Sequence, residues 1–125
     1  MAAHNETGKR GELLAAEYLA QKGYTILACN YRYGHAEVDI IARAPDFETI
    51  VFVEVKTRRT ARFGYPEEAA AKPRKQALIV EAAGNYLYVH QLDTEYRFDV
   101  VSIILNPDDT PLEIVHFEDA FFPMP

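Results

Sequence analysis

Ile50, Val51, Phe52, Val53 and Val55 form a near-continuous apolar run within Thr49–Lys56. The run is rich in β-branched residues and reads as a strand. A strand apolar on one face can border solvent, but a strand apolar on both faces needs cover on both. The chain must therefore place this strand inside a sheet and pack further layers above and below it. The run ends in Glu54-Val55-Lys56. Side chains alternate along a strand, so Glu54 and Lys56 point the same way as Ile50 and Phe52. A carboxylate buried there is expensive unless it is paired or binds a metal. An ion pair between Glu54 and Lys56 on a wet strand end is the bland explanation.

The rest of the chain supplies the neighbours. Leu13, Leu14, Ala15, Ala16, Tyr18, Leu19 and Ala20 suggest a helix, with Thr7 as its N-cap and Gly23 as its stop. Tyr24–Tyr33 and Glu37–Arg43 read as strands joined by a turn at Gly34-His35, and 44–48 is a hairpin turn leading into the apolar strand. The polar, basic stretch from Thr57 to Tyr65 reads as a loop, followed by a short helical turn over Pro66–Ala71. Pro73 suits the first position of a longer helix, running to about His90. Tyr96–Leu105 and Leu112–Phe117 are the last two strands, with a turn at 106–110 between them. The consecutive first strands imply a meander, and the long helix suits a crossover to a neighbouring strand. The expected fold is α/β, a mixed sheet of about five strands flanked by helices.

A chain of 125 residues with 49% hydrophobic content supports one core and not two. We therefore expect a single domain over 1–125, with residues 1–6 as a flexible lead-in. No apolar run approaches the ~20 residues that span a bilayer. The polar Met1–Arg10 stretch lacks the apolar segment of a signal peptide. Cys29 is the only cysteine, which rules out an internal disulfide and a multi-thiolate metal site. The expected setting is the cytoplasm. The net charge of -6 argues against a nucleic-acid binder, but its distribution argues the other way. From Glu54 to Lys75 there are seven basic residues (Lys56, Arg58, Arg59, Arg62, Lys72, Arg74, Lys75) against three acidic ones. From Gln91 to Pro125 there are eight acidic residues against one basic.

Two further acids sit against the pattern. Strict alternation puts Glu37, Asp39 and Ile41 on one face of the second strand. The hairpin to the third strand can then bring Asp39 close to Glu54. Paired carboxylates repel, and one is forced towards its neutral form unless a cation lies between them. Hard oxygen donors of this kind suit Mg²⁺ or Mn²⁺. Wound as a helix, Glu12 falls in the middle of the apolar arc formed by Ala15, Ala16, Leu19 and Ala20, whereas Glu17 and Gln21 fall on the far side. A first-turn Glu often just complements the helix dipole, yet one on the buried stripe needs a partner or a ligand. His35-Ala36-Glu37 matches half of a zinc deaminase signature, but the second half, Pro-Cys-x-x-Cys, is missing. No nucleophile elbow, P-loop or dinucleotide fingerprint occurs.

Asp39 followed by Glu54-Val55-Lys56 at the end of an apolar strand resembles the PD-(D/E)xK nuclease superfamily. More of the chain is similar to the bacterial YraN-like family, placed in that superfamily and similar to archaeal Holliday-junction resolvases. The stretches that carry the likeness include Gly8-Lys9-Arg10-Gly11-Glu12, Asn30-Tyr31-Arg32, Glu37-Val38-Asp39, Phe52 to Arg58, Phe63-Gly64, Lys75 and Arg97-Phe98-Asp99-Val100. The resemblance implies a restriction-endonuclease-like fold and a nucleic-acid-binding role, without fixing a reaction. It implies Glu12 as the helix acid, Asp39 and Glu54 as ligands of Mg²⁺ or Mn²⁺, and Lys56 as the catalytic lysine of an endonuclease. The substrate expected on this basis is DNA, branched as in repair or recombination, gripped through phosphates by Arg58, Arg59, Arg62, Lys72 and Lys75. A homodimer is expected by analogy with small resolvases. The family usually has Gly where this chain has Ala36, which leaves the role of Glu37 dependent on the local backbone. Two other functions suit the same residues: a catalytically silent nucleic-acid-binding module, and a protein-interaction domain docking through the acidic C-terminal third.

Overall fold

A computed structural model describes residues 6–59 and 73–121. Five strands form one sheet in the order β1 (Thr25–Tyr33), β2 (Ala36–Arg43), β3 (Ile50–Arg59), β4 (Tyr96–Leu105), β5 (Pro111–Phe121). Strand β3 is central, as its two-faced apolar run requires. It pairs antiparallel with β2 and parallel with β4. Helix α1 (Glu6–Gln21) precedes β1, and α2 (Pro73–Val89) lies between β3 and β4. The mixed, helix-flanked sheet is the restriction-endonuclease-like arrangement expected from the sequence. No described helix is long and apolar enough to cross a membrane.

The even and odd residues of β3 enter different cores. Ile50 and Phe52 pack with Phe98, Val100, Ile79, Ala83 and Tyr86 beneath α2. Val51 and Val53 pack with Leu14, Leu19, Val101 and Ile103 beneath α1. Both helices stop through backbone motifs that return the chain to the sheet. At the end of α1, Tyr24 N–H donates to the Leu19 carbonyl and Gly23 N–H to the Ala20 carbonyl, with Gly23 at φ 97°. The same motif closes α2 with Gln91 at φ 54° and a bond from Leu92 N–H to the Leu87 carbonyl.

Three boundaries depart from the sequence expectations. Helix α1 already includes Glu6, so Thr7 lies inside it and is not its cap. Strand β3 runs on to Arg59, because Thr57, Arg58 and Arg59 find a full parallel ladder on Ile103, Ile104 and Leu105 of β4. The polar composition there signals an exposed strand end and not a loop. Strand β5 continues past Phe117 to Phe121, whose ring stacks on Phe98. The short helix expected at 66–71, together with Arg62 and Lys72, lies outside the described residues.

Strict alternation also fails in β2. Val38 and Ile41 face the α2 core, while Ile40 and Ala42 face the α1 core. The break falls at Asp39. The partner strand breaks at the matching place, where Asn30 takes φ 53° between Cys29–Ile40 and Tyr31–Val38 pairs. Glu37, Asp39 and Ile41 therefore do not share one face as expected. Ala36 keeps an ordinary φ, pairs with Tyr33 and is buried, so alanine fits where the family usually has glycine.

A candidate metal and phosphate site at the sheet fork

The ladder between β2 and β3 ends at the Ile40–Val53 pair. Beyond it the strands separate, and Asp39 turns into the fork, where Oδ2 accepts the Val55 N–H at 2.8 Å. Glu54 follows one step later on β3 and is 2% exposed. Asp39 and Glu54 thus line the same hollow of about 560 Å³, with Glu12, Glu37, Lys56, Lys75, Lys9 and Asn30 around it. Glu12 reaches the hollow from α1 and accepts a 3.0 Å hydrogen bond from Asn30 Nδ2. The left-handed backbone at Asn30 is what points that amide towards the helix. Gly11 sets the helix height: a Cβ there would sit 1.8 Å from Thr57 Oγ1.

The electrostatics are those of crowded acids. Burial, then the Glu54 charge, push the Asp39 carboxyl up to about 8, against the opposing hydrogen bond from Val55. Burial and the charges of Glu37 and Glu54 also raise Glu12. Two lysines answer these acids. Lys75 Nζ lies 2.8 Å from Glu54 Oε2, and Lys56 Nζ lies 3.6 Å from the same oxygen. Burial would depress Lys75, but its bond to Glu54 and that carboxylate's charge outweigh burial and raise it. Glu54 Oε1 is buried and accepts no hydrogen bond from the described residues.

The other expected residues are placed as follows. Glu37 lines the hollow but is also paired with Arg32 at 3.8 Å near the surface. Arg58 is exposed at the end of β3. Arg59 forms an ion pair with Asp109 and donates to the Pro107 carbonyl at 3.1 Å, so a phosphate there must compete with the β4–β5 turn. Lys75 faces the acids from the first turn of α2 and is not simply solvated. Lys9, Gly11 and Asn30 were not singled out by charge or periodicity. Their only signal was their presence in the stretches that carry the family likeness.

Asp39 and Glu54 bring hard oxygen donors to one hollow, and Glu54 Oε1 is a buried acceptor with no donor among the described residues. No three Asp, Glu, His or Cys side chains among the described residues form a complete metal cage. A two-carboxylate set suits an ion that keeps several waters and takes further ligands from a phosphate. The residues therefore fit Mg²⁺ or Mn²⁺.

Comparison with known proteins agrees with the likeness read in the sequence. Residues 11–103 match the Uncharacterised protein family UPF0102. A UPF0102 protein of Christiangramia forsetii is 49% identical over 122 residues, which cover 98% of both chains. One from Flavobacterium psychrophilum is 43% identical with the same coverage, and one from Syntrophus aciditrophicus is 46% identical over 97% of this chain and 92% of its own. A solved chain described as "Crystal structure of SSO0001" aligns at 17% identity and a TM-score of 0.37, over 94% of this chain and 52% of its own. That last likeness is too distant to carry an argument. With most of its length matched, the chain belongs to the UPF0102 family.

Proposed function

We propose that this protein is a divalent-metal-dependent endonuclease that hydrolyses phosphodiester bonds in DNA, branched DNA included. One observation carries the reading: Glu54, buried with an unsatisfied oxygen, shares a solvent-reaching fork with Asp39, a carboxyl raised to about 8, and with two lysines. A purely structural ion pair does not need a second buried acid beside it. The resemblance to PD-(D/E)xK nucleases gives the same residues the same roles.

Asp39 and Glu54 would hold the cation, which when bound polarises the phosphoryl oxygen and lowers the pKa of water. Lys56, on the strand end beside Glu54, stabilises charge developing on the phosphate. Glu12, fixed by Asn30, orients water at the edge of the site. Lys9 and Arg58 flank the hollow and the strand end, where they meet backbone phosphates.

A silent binding module is favoured by one observation, the pairing of Glu54 with both Lys75 and Lys56. Incubation with duplex, flapped, four-way-branched and single-stranded DNA plus Mn²⁺ decides between the two. Strand scission by the native chain and none by Glu54→Gln is the expected result. Salt-sensitive DNA binding without scission, and with no Mn²⁺-dependent rise in melting temperature, would leave the silent module standing.

A further inference from the structure

We infer that Lys75 is the internal counter-ion of the acid cluster and trades places with the divalent cation, so that metal loading releases its ammonium towards phosphate. The inference rests on the reading of Asp39 and Glu54 as cation ligands. It adds a residue to that site and a coupling between its ligands.

Lys75 stands in the first turn of α2 beside Arg74, and that turn holds no acidic residue. Cations at a helix N-terminus oppose the helix dipole. Local helix energetics therefore do not explain a lysine there, whereas the acids across the fork do. Its Nζ reaches Glu54 Oε2 at 2.8 Å, closer than Lys56 at 3.6 Å. The charges of Asp39 and Glu37 act on it as well. Lys75 thus contacts Glu54 and feels the charges of Asp39 and Glu37 from a single position.

Glu54 Oε2 already takes Lys75 at 2.8 Å and Lys56 at 3.6 Å, so a divalent ion on the same carboxylate would be a third cation. An ammonium bonded to Glu54 and a divalent ion on the same carboxylate would repel at contact distance. The lysine is the partner able to leave, since its side chain is 48% exposed. It has somewhere to go. Lys75 borders both the 560 Å³ hollow and a second one of about 370 Å³ on the α2 side, lined by His35, Glu37, Asp39, Arg74, Leu78 and Ile79. Once off Glu54, its ammonium lies beside Arg74 and can bind a phosphate. Metal and polyanion should then favour one another, and the coupling must be reciprocal.

The test uses the full chain and Mg²⁺ or Mn²⁺ alone. The side-chain ¹⁵N resonance of Lys75 should report a hydrogen-bonded ammonium without metal and lose that signature as Mg²⁺ saturates. Lys75→Gln should tighten Mn²⁺ binding measured by calorimetry by about tenfold, a typical coupling, and by more than Lys56→Gln does. Lys75→Arg, which keeps the charge, should restore weak binding and metal-free stability. Saturable Mg²⁺ binding with the Lys75 signature intact overturns the exchange while sparing the cation reading. So does unchanged or weaker affinity in Lys75→Gln. Absence of metal binding in both the native chain and Lys75→Gln overturns the cation reading, and the exchange with it.

Discussion

Burial and the Glu54 charge lift Asp39 to about 8, and this carries a pH signature. A carboxyl raised above its unfolded value of 3.8 favours folding below that value, and the contribution is lost as pH rises through about 8. Metal-free protein should therefore become less stable between about pH 4 and pH 8. Asp39→Asn should flatten that part of the curve. At pH 8 it should melt at or above the native temperature, by up to a few degrees, and should lose the stabilisation that Mn²⁺ gives by mass action. Melting curves with and without Mn²⁺ check this; a destabilised variant that keeps its metal response would make Asp39 a structural partner of Val55 alone. Lys56→Ala should lower metal-free stability by up to about 1 kcal/mol, the scale of a partly exposed pair, and should still bind metal. At this scale the sequence was informative where charge contradicted the apolar pattern, at Glu54 and Glu12. It was silent where backbone geometry decides, because no spacing rule announces the left-handed Asn30 or the break at Asp39.

Helix α1 touches the sheet through Gly11, and the contact with Thr57 leaves no room for a methyl group. Gly11→Ala must push the helix off β3 and carry Glu12 away from Asn30. Overpacking of this kind costs roughly 1–3 kcal/mol. Thr57→Gly in the same chain should recover part of the loss, so chemical denaturation of the two single variants and the double variant gives the coupling directly. Element types were legible in the sequence because the periods differ: a two-faced apolar run for β3, a helical stripe for α1, a proline at the start of α2. The ends were not. Thr57–Arg59 has the composition of a loop and becomes strand because β4 offers it a parallel partner, which is information held in another part of the chain. The extension of β5 to Phe121 has the same origin, in the stacking on Phe98.

Across the whole molecule, a second polar centre faces the opposite pH limit. Asp99 is fully buried and accepts from Arg97 at 2.9 and 3.0 Å, from His116 Nε2 at 2.7 Å and from the Asp119 N–H at 2.9 Å. Burial would raise this carboxyl, but the bonds from His116 and Arg97 outweigh it and hold it below the ordinary range. A lowered carboxyl contributes stability above its unfolded pKa and loses it as pH falls through the folded value. Acid unfolding should therefore begin at this knot, and Asp99→Ala should destabilise by roughly 3–5 kcal/mol, read by urea denaturation, without altering Mn²⁺ affinity per folded molecule. DNA binding belongs to the same scale, because it depends on where the basic surface lies. Replacing Arg58, Arg59 and Arg62 by Ala should flatten the salt dependence by about 0.9 in log–log slope per lost contact; an unchanged slope would remove this segment from the interface. The short ladder between β2 and β3 divides the sheet into a β1–β2 ribbon and a β3–β4–β5 ribbon. Asp39 belongs to the first ribbon and Glu54 to the second. An ion shared by the two is a rivet across the seam, so amide hydrogen exchange at Ile40, Val53 and Val55 should slow when Mg²⁺ is added, while the β4–β5 hairpin keeps its own rate.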